Sequence, residues 1–269
     1  MKISVMDRGL LYGDGVFDSL RTYRRRPFLR DEHLKRLLKE VKQLKIRLPY
    51  SLGKLKLMVL KAIAANKFKE YYIKMIVTRG EALGHGLDFS NSAGKPNVIV
   101  LAEELKEYPK SIFTQGWKAV ISSVRRADVP TSRIKSLCYL DNAIAKTEAR
   151  KAGADEAFML DEKGHVAEGS VSNIFIVKLG TIYTPPAEAP ILRGITRDLV
   201  IKLAKQSALR LVEKNFDPKE LYNCDECFIT FSGAGIVPIT RIWNRRIGKG
   251  VCGPLTQKLI MLYQAETQR

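Results

Sequence analysis

Lys135 lies in the short run Arg133-Ile134-Lys135-Ser136-Leu137, between an irregular stretch and a helical one. A lysine held away from water has a depressed pKa and attacks a carbonyl to form an imine. In a chain with 46 Lys+Arg the same residue also reads as one exposed lysine among many. Glu168 follows a strand-like piece and precedes Gly169-Ser170, as a functional carboxylate or a plain loop acid. Three further features suit anions. Gly194-Ile195-Thr196 sits where a loop becomes a helix, with Thr196 as its expected cap, and the free amides there favour phosphate. Ser232-Gly233-Ala234-Gly235 is a small-residue turn directly after a strand, whose amides can face an anion. Arg30, between a strand end and a helix, is a third anion contact or a surface charge.

The elements that must position these residues are read from periodicity. After the glycine-punctuated Leu11-Tyr12-Gly13-Asp14-Gly15, a strand is expected over 16–23, with Arg26-Pro27-Phe28-Leu29 as hairpin partner. Leu34, Leu37, Leu38, Val41 and Leu44 recur at helical spacing within 32–44, and Ser51 caps a second helix to about Ala65. Strands follow over 71–78 and 97–101. The polar stretch 103–116 carries the domain boundary. Beyond it come strands over 117–124, 156–160, 165–168, 173–177 and 227–230. Helices are expected over 140–152 and 196–206, and Pro254 opens a last one. Strands and helices mix without regular βα alternation, which predicts an α+β chain. The division is a small α+β domain over 1–108, a linker at 109–115 and a larger α+β domain over 116–269.

Composition narrows the function classes. With 269 residues and 45% hydrophobic content the chain can bury one sizeable core or two smaller ones. No apolar run approaches the roughly 18 residues of a membrane span, and the first residues lack a secretory core, so a cytoplasmic protein is expected. The net charge of +18 raises nucleic-acid binding. The bases are dispersed, however, and no helix-turn-helix, zinc-finger or aromatic RNA-binding pattern accompanies them. A basic surface that attracts small anions fits equally, and no nucleic-acid partner is expected. Cys224 and Cys227 form a C-x-x-C with no second half, so no metal is expected; Cys227 reads as part of a buried strand and Cys224 as the loop before it.

Taken together, the segments resemble one family. The runs are Asp7-Arg8-Gly9 with Tyr12-Gly13-Asp14-Gly15-Val16-Phe17, Phe28-Leu29-Arg30 with His33 and Arg36-Leu37, and Ile134-Lys135-Ser136-Leu137-Cys138-Tyr139-Leu140. Then come Asp155-Glu156-Ala157-Phe158, Val166-Ala167-Glu168-Gly169-Ser170, Ser172-Asn173-Ile174-Phe175, Thr184-Pro185-Pro186 and Leu192-Arg193-Gly194-Ile195-Thr196-Arg197. Last is Phe228-Ile229-Thr230 leading to Val237-Pro238. In this order they resemble the class IV aminotransferases, the fold-type-IV pyridoxal-phosphate enzymes. That resemblance implies a small N-terminal α/β sandwich domain and a larger barrel-like C-terminal domain. It implies pyridoxal 5'-phosphate as cofactor, with Lys135 holding its aldehyde and shuttling a proton. It assigns Glu168 to the pyridine nitrogen and Tyr139 to the neighbourhood of the phenolic oxygen. Arg30, Leu192, Ile195, Thr196 and Ser232 join the cofactor contacts, chiefly at the phosphate. Tyr12 and Phe17 wall the substrate pocket, and the Gly233 and Ala234 amides receive the substrate carboxylate. A homodimer is implied as well.

Within the family the reaction divides. Lys135-Ser136-Leu137 with Tyr139-Leu140-Asp141-Asn142, and Gly84-His85-Gly86-Leu87-Asp88, are similar to branched-chain transaminases. This implies transfer from an apolar L-amino acid to 2-oxoglutarate. Ser19, where those enzymes usually carry glycine and the lyases tend to have threonine, points instead to 4-amino-4-deoxychorismate lyase, which releases pyruvate and 4-aminobenzoate. Gly84 and His85 occupy the region where D-amino acid transaminases hold the substrate carboxylate, which puts that reading lower. A non-catalytic protein on the same scaffold is the outside class.

Overall fold

The computed structural model describes residues 2–268. The chain divides into two compact units, Met1–Lys106 with Ile134–Tyr139, and Glu107–Arg133 with Leu140–Arg269. The segment holding Lys135 therefore groups with the first unit, whereas a division at 109–115 assigns it to the second. Both units are mixed α+β, as expected.

The first unit contains α1 (Arg8–Tyr12), β1 (Gly15–Tyr23), β2 (Arg26–Pro27), α2 (Arg30–Gln43), α3 (Leu52–Ala64), β3 (Tyr71–Thr78) and β4 (Asn97–Glu104). Its sheet runs β2-β1-β3-β4, antiparallel throughout. Leu34, Leu37 and Val41 of α2 and Leu55, Val59 and Ile63 of α3 share one core with Val16 and Leu20 of β1 and Ile73, Met75 and Val77 of β3. Helical spacing on one side and strand alternation on the other supply that core. Ser51 caps α3, accepting from the Lys54 N–H at 3.3 Å. The expected hairpin partner is shorter than its four residues, β2 covering only Arg26–Pro27, although the Phe28 N–H still donates to Arg21 O at 2.9 Å. Leu29 then turns through φ 49° into α2.

The segment Ile134–Tyr139 lies along the first part of β1. Phe17 N–H donates to Lys135 O at 2.9 Å and Leu137 N–H to Gly15 O at 3.0 Å, around an antiparallel bridge of Val16 with Ser136. β2 pairs only with the far end of β1, at Thr22 and Tyr23, so this edge is open to the lysine segment.

The second unit contains α4 (Ile112–Gln115), β5 (Trp117–Arg126), α5 (Leu140–Lys151), β6 (Glu156–Asp161), β7 (Val166–Gly169), β8 (Asn173–Lys178), β9 (Thr181–Thr184), α6 (Ile195–Gln206), β10 (Leu211–Glu213), α7 (Pro218–Tyr222), β11 (Glu226–Phe231), β12 (Gly235–Ile242), β13 (Arg245–Arg246) and α8 (Pro254–Gln268). The large sheet runs β10-β9-β8-β11-β12-β5-β6-β7, with β13 on β12. Strand β12 escaped the sequence reading because Gly235 and Pro238 punctuate it like a turn. Pro238 pairs with Phe228 just before a shift of register between Ile239 and Arg241, where a missing N–H is tolerated. Gly235 has φ +80°, and a Cβ there would stand 2.4 Å from the Tyr263 ring, so the β11–β12 turn requires glycine. Cys227 is buried in β11 and Cys224 in the loop before it. Burial pushes the Cys224 thiol up to about 12.

Among the described residues no helix is long and apolar enough to cross a membrane.

Candidate functional site

In the first unit three of the predicted residues meet. Lys135 Nζ lies 3.1 Å from Tyr139 Oη and 4.5 Å from the centre of the Phe17 ring. Phe17 and Tyr139 pack edge to face, with centroids 5.0 Å apart. The bridge to β1 holds the backbone of the lysine segment, and the two rings cover its amine, so Lys135 is half-buried rather than a surface lysine. Lys74 Nζ approaches the same Phe17 ring at 4.6 Å. Tyr12 takes part through its backbone: its carbonyl, with that of Gly13, faces the Cys138 thiol at 3.7 Å, while its ring lies under Arg8 at 5.1 Å.

Beneath this group runs a buried ionic network. Asp18, fully buried on β1, accepts from His33 Nδ1 at 2.7 Å and from Arg36 Nε and Nη2 at 2.8 and 2.7 Å. Its burial alone favours the neutral acid. The charges and hydrogen bonds of Arg36 and His33 overcome this and hold the carboxyl well below the usual range. Arg36 also interacts electrostatically with Glu40 and Tyr139.

Arg30 belongs elsewhere in the unit. It opens α2, with Nε 3.2 Å from Asp31 Oδ1, while Lys56 takes the other oxygen of Asp31 at 2.6 Å. Arg36, named above only as part of a family run and given no site role, shares the inner face of α2 with His33 and Glu40. Its spacing carried the signal, but an arginine on a helix in so basic a chain reads first as surface charge.

The second unit gathers a different set. Glu168, on β7 and almost fully buried, has Oε1 3.1 Å from Arg126 Nη2. Its Oε2 accepts from the Leu192 N–H at 2.9 Å and, at 3.4 Å, from Asn173 Nδ2. Asn173 also donates to Leu192 O at 2.8 Å, so one amide joins the carboxylate to the loop before α6. The turn after Glu168 is held by Glu156, which is wholly buried. Glu156 accepts from the hydroxyls of Ser170 and Ser172 and from the Ser170 N–H at 3.0 Å.

Helix α6 begins one residue before the expected cap. Gly194 is its N-cap, with no side-chain hydrogen bond, and Thr196 lies buried within the first turn. The expected capping role of Thr196 is thereby corrected: glycine at the cap leaves the first-turn amides without a side-chain acceptor. A Cβ at Gly194 would stand 2.1 Å from Asn173 Oδ1, so the approach of α6 to β8 demands glycine. Thr230 of β11 pairs with Asn173, and the Ser232-Gly233-Ala234 turn follows directly. The Thr230 hydroxyl, which the sequence analysis placed in a strand and a family run but gave no site role, is buried with no hydrogen-bond partner.

Each set fits part of an anionic, aromatic coenzyme. The second unit offers an uncapped start to a 12-residue helix, an unpartnered buried hydroxyl and a buried carboxylate. The first offers a half-buried amine set against two rings, and the Ser19 hydroxyl, also buried and unpartnered.

A family model described as amino-transferase class IV matches residues 15–242. A Methanocaldococcus jannaschii protein, provisionally named a branched-chain-amino-acid aminotransferase, is 44% identical over 260 residues, or 96% of this chain and 88% of that protein. D-alanine aminotransferase of Bacillus licheniformis is 34% identical over 264 residues, 96% of this chain and 89% of the relative. Among solved structures, the Escherichia coli branched-chain amino acid aminotransferase aligns with a TM-score of 0.91 at 32% identity, covering 98% of this chain and 89% of that one.

Proposed function

The chain belongs to the class IV aminotransferases, and from that membership we propose that it moves the amino group of a branched or apolar L-amino acid to 2-oxoglutarate. It is a pyridoxal-phosphate enzyme. The observation that carries the chemistry is the Lys135 amine, 3.1 Å from Tyr139 Oη and covered by Phe17.

When bound, the coenzyme supplies an aldehyde and a conjugated ring that accepts the electron pair left at the substrate Cα. Lys135 would hold the aldehyde, and its Nζ, once freed, would take and return the Cα proton. Tyr139 Oη would orient that amine. Glu168 would keep a proton on the ring nitrogen, its own charge steadied by Arg126 and the Leu192 N–H. The Ile195 and Thr196 amides and the Ser232 hydroxyl would hold the phosphate. Arg36, half-buried and electrostatically linked to Tyr139, is a better candidate than Arg30 for the guanidinium of that set. Phe17 and Tyr12 would exclude water from the substrate, and the Gly233 and Ala234 amides would receive its carboxylate.

A second reading, the aminodeoxychorismate lyase, is favoured by one observation, the buried and unpartnered Ser19 hydroxyl beside Phe17 on β1. Coupled assays separate the two. L-leucine with 2-oxoglutarate is expected to yield glutamate, with D-alanine inert. Pyruvate released only from aminodeoxychorismate would replace the transaminase with the lyase.

A homodimer is part of the same proposal. Exposed apolar side chains collect on two neighbouring segments of the first unit, Ile3, Val5 and Leu10 on one and Leu83, Leu87 and Phe89 on the other. Arg8 ties the segments by donating to Gly86 O at 2.9 Å and Leu87 O at 2.7 Å. A surface of this kind is stable when covered. Sedimentation equilibrium is expected to give twice the chain mass, and an active monomer would overturn this assignment. A cytoplasmic location accords with four cysteines that all stand unpaired.

A further inference from the structure

Glu40 has no part in the chemistry described so far, yet among the described residues no other acid has a buried carboxyl oxygen without a hydrogen-bond partner. It lies on the inner face of α2 and is 3% exposed, among Leu37, Val41 and the core of the first unit. One carboxyl oxygen, Oε2, is buried without a hydrogen-bond partner. The carboxyl is turned to the backbone N–H of Lys135 and feels the Lys135 charge as well. A solvated face would explain an exposed glutamate, but a buried one with an unpartnered oxygen costs stability and calls for a local cause.

We propose that Glu40 is a positioning residue for Lys135, anchoring the backbone of the lysine segment and, when ionised, favouring the ammonium form of the Lys135 side chain. The proposal rests on the reading of Lys135 as the coenzyme-bearing lysine. The charged groups facing Glu40 are Arg36 from its own helix, Asp18 from β1 and Lys135 from the segment laid on β1. Asp18 is already committed to Arg36 and His33, so Arg36 neutralises Glu40 only in part. Burial pushes the Glu40 carboxyl up, Arg36 opposes this and Asp18 adds to it, with the result near 7. Glu40 therefore changes charge where an aminotransferase works. As pH falls through neutrality the lysine loses its nearby counter-charge while keeping its backbone anchor.

Glu40→Gln keeps an acceptor for the Lys135 N–H and removes the charge. The decisive readout is the pH dependence of acetylation of each lysine, measured by peptide mass spectrometry on the full chain without coenzyme. In the variant the Lys135 midpoint is expected to move to lower pH by about one unit, while exposed Lys39 and Lys42 stay fixed. The visible band of the holoenzyme, titrated without substrate, is expected to shift in the same direction. An unchanged Lys135 midpoint in folded Glu40→Gln would overturn the proposal. Should that variant fail to fold, Glu40→Asp, which keeps the charge but draws it back by one methylene, is expected to give a smaller shift in the same direction, and no shift would overturn the proposal equally. Failure of the underlying reading looks different: the visible band would then survive Lys135→Ala, whatever Glu40 does.

Discussion

Replacing Lys135 with alanine is expected to abolish the visible band of the holoenzyme and to lower the rate of amino transfer by about 10^4-fold or more. Two roles disappear together, the covalent hold on the coenzyme and the base at Cα, and such losses do not divide between kcat and KM as a binding loss would. A rescuing amine lies close by. Lys74 Nζ stands 4.6 Å from the same Phe17 ring that Lys135 approaches at 4.5 Å. Lys74 extends from β3 opposite Ser19, however, and is not the group bonded to Tyr139. Residual turnover in Lys135→Ala should therefore be small, and it should vanish in the double variant with Lys74→Ala. A single variant retaining full turnover and its colour would remove Lys135 from the chemistry altogether.

The second large effect concerns stability. Asp18→Ala is expected to destabilise the protein by about 3–5 kcal/mol, because it leaves Arg36 and His33 without their buried counter-charge. At about 1.4 kcal/mol per tenfold, that lowers the folded-to-unfolded ratio by roughly two to three and a half orders of magnitude, readable as an earlier urea midpoint. A double variant, Asp18→Leu with Arg36→Leu, should cost less than the sum of the single ones, since it removes both charges at once. The sign with pH follows from the lowered Asp18 pKa. The ionised group binds fewer protons in the folded state than in the unfolded one across the acid range, so its stabilisation is complete above the ordinary aspartate value. It is lost as pH falls below that value. Glu40 acts in the opposite sense. With its carboxyl raised to about 7, it leaves the fold most stable below the ordinary glutamate range, and that advantage fades as pH climbs through neutrality.

Much of this was legible beforehand, for identifiable reasons. The spacing of Leu34, Leu37 and Val41 announced α2, and the Ser51 cap announced α3, because local periodicity and capping are short-range signals. Lys135, Tyr139 and Phe17 were legible through the company of neighbouring motifs, and the structure brings them together within the first unit. The role of Arg36, quoted only within a family run, and the whole of Glu40 were not. Their meaning depends on burial against β1 and on the lysine segment, roughly a hundred residues onward, and no window of sequence contains that pairing. Thr196 misled as a cap because its hydroxyl is the expected type, while the actual N-cap is a glycine admitted by close packing on Asn173. Strand β12 was hidden by Pro238, whose missing N–H is tolerated next to the extra residue that β12 itself carries between Ile239 and Arg241 in its pairing with β5.

The six residues from Ile134 to Tyr139 are flanked on both sides by chain that groups with the other unit. No single stretch of gene therefore encodes the first unit whole. A product ending at Lys106 would leave Phe17 N–H and Gly15 O without the acceptor and donor that Lys135 O and Leu137 N–H now provide. Exchange of this half between relatives would consequently need two crossovers rather than one, and the lysine would travel with the minor insert instead of with the sheet that supports it.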